Sequence, residues 1–118
     1  MLSLSDIEKY ALTKRGASKT YPFDKTTAVF KVADKMFLLF SQTREPAQFN
    51  VKCNPLYALE LRMIYESVIP GYHMNKKHWN TIILNSDIDS DTLYSLIDDS
   101  YELIVSSLTQ KKRRELLL

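Results

Sequence analysis

Ala28-Val29-Phe30-Lys31-Val32-Ala33-Asp34-Lys35-Met36-Phe37-Leu38-Leu39-Phe40 is the stretch that decides the fold. Two runs rich in aliphatic and aromatic residues flank Ala33-Asp34-Lys35, a break short enough to be a hairpin turn, so the runs pair antiparallel. Downstream, Phe49, Val51 and Cys53 alternate with Gln48, Asn50 and Lys52, the pattern of a strand with one wet face. Upstream, Tyr21-Pro22-Phe23 reads as an edge segment, because proline has no N–H to give a central ladder. Residues 19–53 are therefore expected to form an antiparallel meander.

Outside the meander the apolar period changes to that of a helix. Leu4, Ile7, Tyr10 and Ala11 share one face of a helix expected at 5–15, with Gly16 as its stop. Ser5 with Glu8 has capping-box spacing; Ser3 with Asp6 is the rival cap, supported by a Leu2–Ile7 staple. Asn54-Pro55 opens a second helix, expected at 55–67, with Leu56, Leu59 and Met63 as one apolar stripe and Ala58, Leu61 and Tyr65 as its neighbour. Trp79-Asn80-Thr81-Ile82-Ile83-Leu84 returns to strand chemistry. Asp89 or Ser90 then caps a long helix, expected at 90–110, whose positions Leu93, Leu96, Ile97, Ile104 and Leu108 keep helical spacing. The order is α, three or four β, α, one or two β, α. An α+β fold in two layers follows, an antiparallel sheet packed with helices. One domain is expected over 1–110, with a basic tail at 111–118 that frays.

With 118 residues, 45% of them hydrophobic and 25% charged, the chain has the balance of an ordinary globular domain. Cys53 is the only cysteine, so intrachain disulfides and four-cysteine zinc sites are excluded, and a reducing compartment is expected. The N-terminus has no basic n-region and no apolar h-region, and charges interrupt every apolar run before membrane-helix length. The expectation is a cytoplasmic monomer, without membrane contact. Charge is unevenly distributed: residues 1–84 carry net +5, residues 85–110 net −6 and the tail net +3.

The familiar catalytic motifs are missing. With Gly16 and Gly71 as the only glycines, no glycine-rich phosphate loop exists, and neither a G-x-S-x-G elbow nor an H-E-x-x-H pair appears. Asp87-Ile88-Asp89-Ser90-Asp91 opens like a calcium loop, but Thr92 and Asp98 stand where that loop needs Gly and a bidentate Glu. Capping and the helix dipole explain the same carboxylates. His73, His78 and Cys53 lack metal-ligand spacing, and a lone strand cysteine is more often an inert core residue than a nucleophile. No enzyme activity, no metal and no cofactor are expected. Lys76-Lys77-His78-Trp79 differs in kind, since two cations, an imidazole and an indole at a loop-to-strand junction suit phosphate contact with stacking. The plainer alternative is a core tryptophan preceded by solvated lysines.

In this order the features resemble the MmcQ/YjbR family of small bacterial proteins. The matching residues are Tyr21-Pro22-Phe23, Val29-Phe30-Lys31-Val32 with Lys35-Met36-Phe37, Lys52 followed by Pro55, Leu61-Arg62, Pro70, Asn75-Lys76-Lys77-His78-Trp79 and Ser100-Tyr101. Asn85-Ser86 departs from the pattern, at a turn where relatives often have glycine. The resemblance implies a two-layer α+β fold similar to CyaY-like and secretion-chaperone-like domains, and DNA binding. The candidate nucleic-acid-binding residues are Lys52, Arg62, Lys76, Lys77, His78 and Trp79. The alternative is a non-catalytic protein-interaction module that docks a partner on an exposed sheet or helix surface. Convergence of Lys52, Arg62, Lys76 and Lys77 on one concave face is the arrangement that favours nucleic acid, and scattered charges favour the interaction module.

Overall fold

The computed structural model describes residues 1–72 and 74–118; His73, one of the residues weighed for a metal site, lies outside them. The elements run α1 (Leu4–Leu12), β1 (Ser18–Thr20), β2 (Thr27–Val32), β3 (Lys35–Ser41), β4 (Gln48–Lys52), α2 (Pro55–Ile64), β5 (Val68–Pro70), β6 (Trp79–Ile83), α3 (Ser90–Ser106) and α4 (Gln110–Leu116). The six strands form one sheet in the order β1-β2-β3-β4-β6-β5, with every neighbouring pair antiparallel. This is the expected α+β class.

The hairpin forms as its sequence predicts, and Ala33 and Asp34 both take positive φ, 51° and 63°. Positive φ at both central residues is the geometry of a two-residue turn whose twist matches its flanking strands. Phe37 is an extra residue in β3, because Phe30 pairs with Leu38 while Lys31 pairs with Met36. Phe37 and Leu38 consequently both enter the core. Beside the bulge, the buried Ser100 of α3 bridges the backbones of β3 and β4. Its hydroxyl accepts from the Lys52 N–H at 2.8 Å and donates to the Phe37 carbonyl.

The helices cover one sheet face. Ile7 and Ala11 of α1, Ala58 and Leu61 of α2, and Leu93, Leu96, Ile97 and Ile104 of α3 join Phe30, Phe49, Val51 and Ile82 in one buried cluster. Tyr101 sets its ring edge-on to Phe37 at 5.4 Å. Among the described residues, the other face carries a small cluster of Val29, Leu39 and Trp79, with Met36 and Met74 packed against it.

Several boundaries differ from the sequence reading. Ser3, not Ser5, caps α1, in a capping box with Asp6. Tyr21-Pro22-Phe23 is not a strand; Ser18–Thr20 takes the sheet edge instead, and the proline falls in the loop that follows. Helix α2 stops at Ile64, and Val68–Pro70 leaves to pair with β6. Asn54 caps α2 and Asp89 caps α3, each through its side-chain oxygen. Residues beyond 110, expected to fray, form α4 capped by Thr109, with Leu118 packed partly on the core. Asn85 takes φ 57°, a conformation asparagine tolerates, and its amide grips the backbone of Leu2 in both directions at 2.7 and 2.8 Å. That clamp gives asparagine a role here that glycine lacks.

Candidate functional site

Alternation places Thr27, Val29 and Lys31 of β2, Leu39 and Ser41 of β3, Gln48, Asn50 and Lys52 of β4, and Trp79 and Thr81 of β6 on the face without helices. A cavity of about 590 Å³ opens on this face. Leu39, Met36 and Met74 give it an apolar floor beside Trp79. Phe23 and Tyr72 stand at its edge, 65% and 46% exposed, and Arg44 lies over the Tyr72 ring at 3.9 Å. Gln48 and Asn50 supply amides within it. Asp24 also lines the cavity, but its carboxylate accepts from the Thr26 and Thr27 N–H groups at 2.9 and 2.7 Å. Those bonds, the Thr26 one first, hold its pKa below the ordinary carboxylate value.

The six residues singled out in the sequence separate into different roles. Lys52 pairs with Trp79 across β4 and β6, so these two do share the open face. Trp79 is only 7% exposed and is largely a packing residue. Arg62 does not join them. From α2, on the helix layer, its Nε donates to Asn80 Oδ1 at 2.6 Å and its Nη2 to the carbonyls of Lys76 and Trp79. The guanidinium therefore clamps the 76–80 backbone to α2 and is not a free contact for a ligand. Lys76 is exposed, yet its ammonium donates to the Gly71 carbonyl at 3.0 Å. Lys77 is exposed and His78 half-buried, and among the described residues neither side chain has a hydrogen bond or ion pair.

The loop that brings these residues together depends on local chemistry. Asn75 holds the turn, with its Oδ1 accepting from Lys77 N–H and its carbonyl from Trp79 N–H. Gly71 donates to the Trp79 carbonyl at 2.9 Å. A Cβ on Gly71 would lie 2.9 Å from that of Trp79, so only glycine lets the loop close this tightly. Most of Asn75-Lys76-Lys77-His78-Trp79 thus builds the loop, and among the described residues Lys77 remains as its uncommitted cation.

Sequence reasoning missed Arg44, Tyr72 and Phe23. They lie in loops remote from one another in sequence, and only tertiary structure sets them around one cavity. The wet alternation of Gln48, Asn50 and Lys52 was a usable signal for the face, though not for its concavity.

The remaining sequence candidates are structural. Asp87 accepts from Glu66 and Ser67 N–H groups, and Asp89 from Thr92 N–H. Among the described residues no cluster of three or more His, Cys, Asp or Glu side chains has the arrangement of a metal site. Cys53 is buried, and desolvation, with Asp99 second, pushes its thiol up to about 11. A nucleophile needs the opposite shift. No described helix is long and apolar enough to cross a membrane.

Comparison with known proteins identifies the fold's relatives. The chain is 34% identical to Deinococcus radiodurans protein DR2400, with its DUF419 domain, whose crystal structure matches all of this chain and 90% of that one at a TM-score of 0.94. A Pseudomonas syringae protein of known structure, 28% identical, matches 86% of this chain and 98% of its own at 0.74. YbdF of Escherichia coli O157:H7 is 38% identical over 94 residues, covering 80% of this chain and 77% of YbdF. YjbR of Escherichia coli K12 is 29% identical over 116 residues, 98% of each chain. The YjbR family model itself matches residues 12–103, most of the core just described, and the chain belongs to the YjbR family.

Proposed function

We propose that the protein is a non-catalytic nucleic-acid-binding accessory or regulatory protein that takes a single strand across its open sheet face. The observation that carries this reading is the placement of charge about the cavity. Lys31, Lys52 and Arg44 lie on or beside the open face, and Lys77 stands on the loop that leads into it. The acids of residues 85–110 belong largely to α3, in the layer behind the sheet: Asp91, Asp98, Asp99 and Glu102. Their repulsion of phosphate is thereby kept off the basic surface. Exposed Phe23 supplies a stacking face, which suits an unpaired base better than a closed duplex.

Polar groups on the face are mostly engaged with one another. Asn50 Oδ1 accepts from Thr81, and Gln48 Nε2 donates to the Pro46 carbonyl at 2.9 Å. Few remain to discriminate bases, so binding is weak and sequence-tolerant, with dissociation constants of about 10⁻⁴–10⁻⁶ M at physiological salt. Fluorescence anisotropy of labelled single-stranded and duplex oligonucleotides tests this. Single strands should bind more tightly than duplex, with affinity falling steeply as salt rises. Folded protein that binds neither at low salt would end the proposal.

A second reading, an interaction module, is favoured by α2. Leu56, Leu59 and Met63 form an outer stripe 76%, 53% and 86% exposed, because the helix turns only Ala58 and Leu61 to the sheet. A second copy is its simplest occupant, since an apolar stripe can pair with itself across a two-fold axis. Sedimentation of the native protein against Met63→Glu decides it: concentration-dependent dimers lost in the variant support this reading, and a monomer throughout rejects it.

A further inference from the structure

The cavity is larger than a stacking platform requires. Its 590 Å³ falls within the range of about 300–1,000 Å³ typical of small-molecule sites. Its chemistry is also directional. The interior is apolar at Leu39, Met36 and Met74, whereas the cation of the lining set, Arg44, lies with Tyr72 at the edge. Asp24, the acid of that set, is already satisfied by Thr26 and Thr27. A matching ligand has a flat, largely apolar body carrying polar edges and an anionic group at one end. A nucleotide has that form.

Resting on the strand-binding reading above, we infer that the cavity is a nucleotide subsite: one unstacked base enters it and the attached phosphate meets Arg44. The base lies over the methionine and leucine floor, beside the Asn50 and Gln48 amides, whose bonds to Thr81 and Pro46 leave them little part in reading it. Arg44 supplies a planar donor fork for phosphate, and its stacking on Tyr72 keeps the guanidinium ordered before the ligand arrives. The remaining strand then runs over Lys31, Lys52 and Lys77, which hold phosphates without regard to sequence.

Trp79 is the only tryptophan in the chain and lines the cavity, so its emission reports on this site alone. Titration with adenosine 5′-monophosphate should change that emission saturably. Arg44→Ala should weaken the mononucleotide about tenfold while leaving the weaker binding of adenosine unchanged, because the nucleoside lacks the group Arg44 holds. Ser41→Phe, at a half-buried β3 position lining the cavity, should abolish the mononucleotide response with the circular dichroism spectrum intact.

Labelled oligonucleotide, followed by anisotropy in the same samples, separates the subsite from the surface. Oligonucleotide binding that leaves Trp79 emission unchanged and survives Ser41→Phe would overturn the subsite and keep the strand-binding reading. A mononucleotide response without oligonucleotide binding would keep the subsite, as a site for free nucleotide, and overturn the strand. Equal loss of adenosine and its monophosphate in Arg44→Ala would overturn the assignment of phosphate to Arg44.

Discussion

Arg62 shows why the type of a residue does not give its role. In sequence it is a cation near other cations; in the structure it is a cross-brace whose donors reach Asn80 and two loop carbonyls. Removing it takes the charged donor from the partly buried Asn80 Oδ1, while the Trp79 carbonyl keeps the Gly71 N–H, so Arg62→Ala should destabilise the protein by about 1.5–3 kcal/mol in chemical denaturation. It should not alter the salt dependence of oligonucleotide binding. Lys77→Ala should do the reverse, leaving stability unchanged and reducing the salt slope by about 0.7 for a single strand. Cys53 permits a second test. Its thiol stays protonated in the fold up to about 11 but ionises near its ordinary value of 9.0 when unfolded. Its stabilising contribution is therefore complete below pH 9 and lost as pH rises through 11. Iodoacetamide should label native protein slowly at pH 8 and denatured protein fast, and Cys53→Ala should flatten the decline in stability between pH 9 and 11. Burial of the lone cysteine was legible in the alternation of β4; the use of Arg62 was not, because its partners lie 14–18 residues away on another element.

Elements whose determinants are local were legible. The β2–β3 hairpin needs only two apolar runs and a two-residue turn, and α3 only an apolar period long enough to exclude a strand. Elements that depend on a distant partner were not. Val68–Pro70 continues the apolar period of α2 and becomes a strand because β6 offers an edge. Ser18–Thr20 has no strand signature of its own and takes its form from β2. The β3 bulge belongs with these, since nothing in the sequence of β3 marks Phe37 as extra. Its stability is lodged in α3, where the Ser100 hydroxyl serves groups on β3 and β4. Ser100→Ala should cost about 1–3 kcal/mol for each backbone group left unpaired. Hydrogen exchange at Lys52 should accelerate more than at other β4 amides. In the turn, Ala33 holds a left-handed conformation that disfavours a Cβ by about 1–2 kcal/mol. Ala33→Asn with Asp34→Gly should accordingly raise the melting temperature without moving the register.

At the scale of the whole molecule, the quantity that matters is which face each charge occupies, and linear order conceals it. Residues 1–84 are basic and 85–110 acidic, which in sequence looks like two poles along one chain. Folding sets the acidic helix on the opposite side of the sheet from the open face, because α3 packs behind β2, β3 and β4. Lys31 and Lys52, 21 residues apart in the chain, then lie on the same side of one sheet, while Lys14 and Lys19 are drawn away to carboxylates of the helix layer. A strand on the open face would meet the first pair and not the second. Each phosphate neutralised on a single strand contributes about −0.7 to the slope of log affinity against log salt. Replacing Lys31 and Lys52 together with Ala should therefore reduce the slope by about 1.4, to the same degree for unrelated sequences. Replacing Lys9 and Arg15 with Ala removes as much charge from the whole protein, near the helix layer, and should leave the slope unchanged. The paired variants have identical net charge, so a difference between them reports the position of charge and not its amount. An equal loss of slope in both would mean that a diffuse field holds the strand and that the open face has no special part in binding.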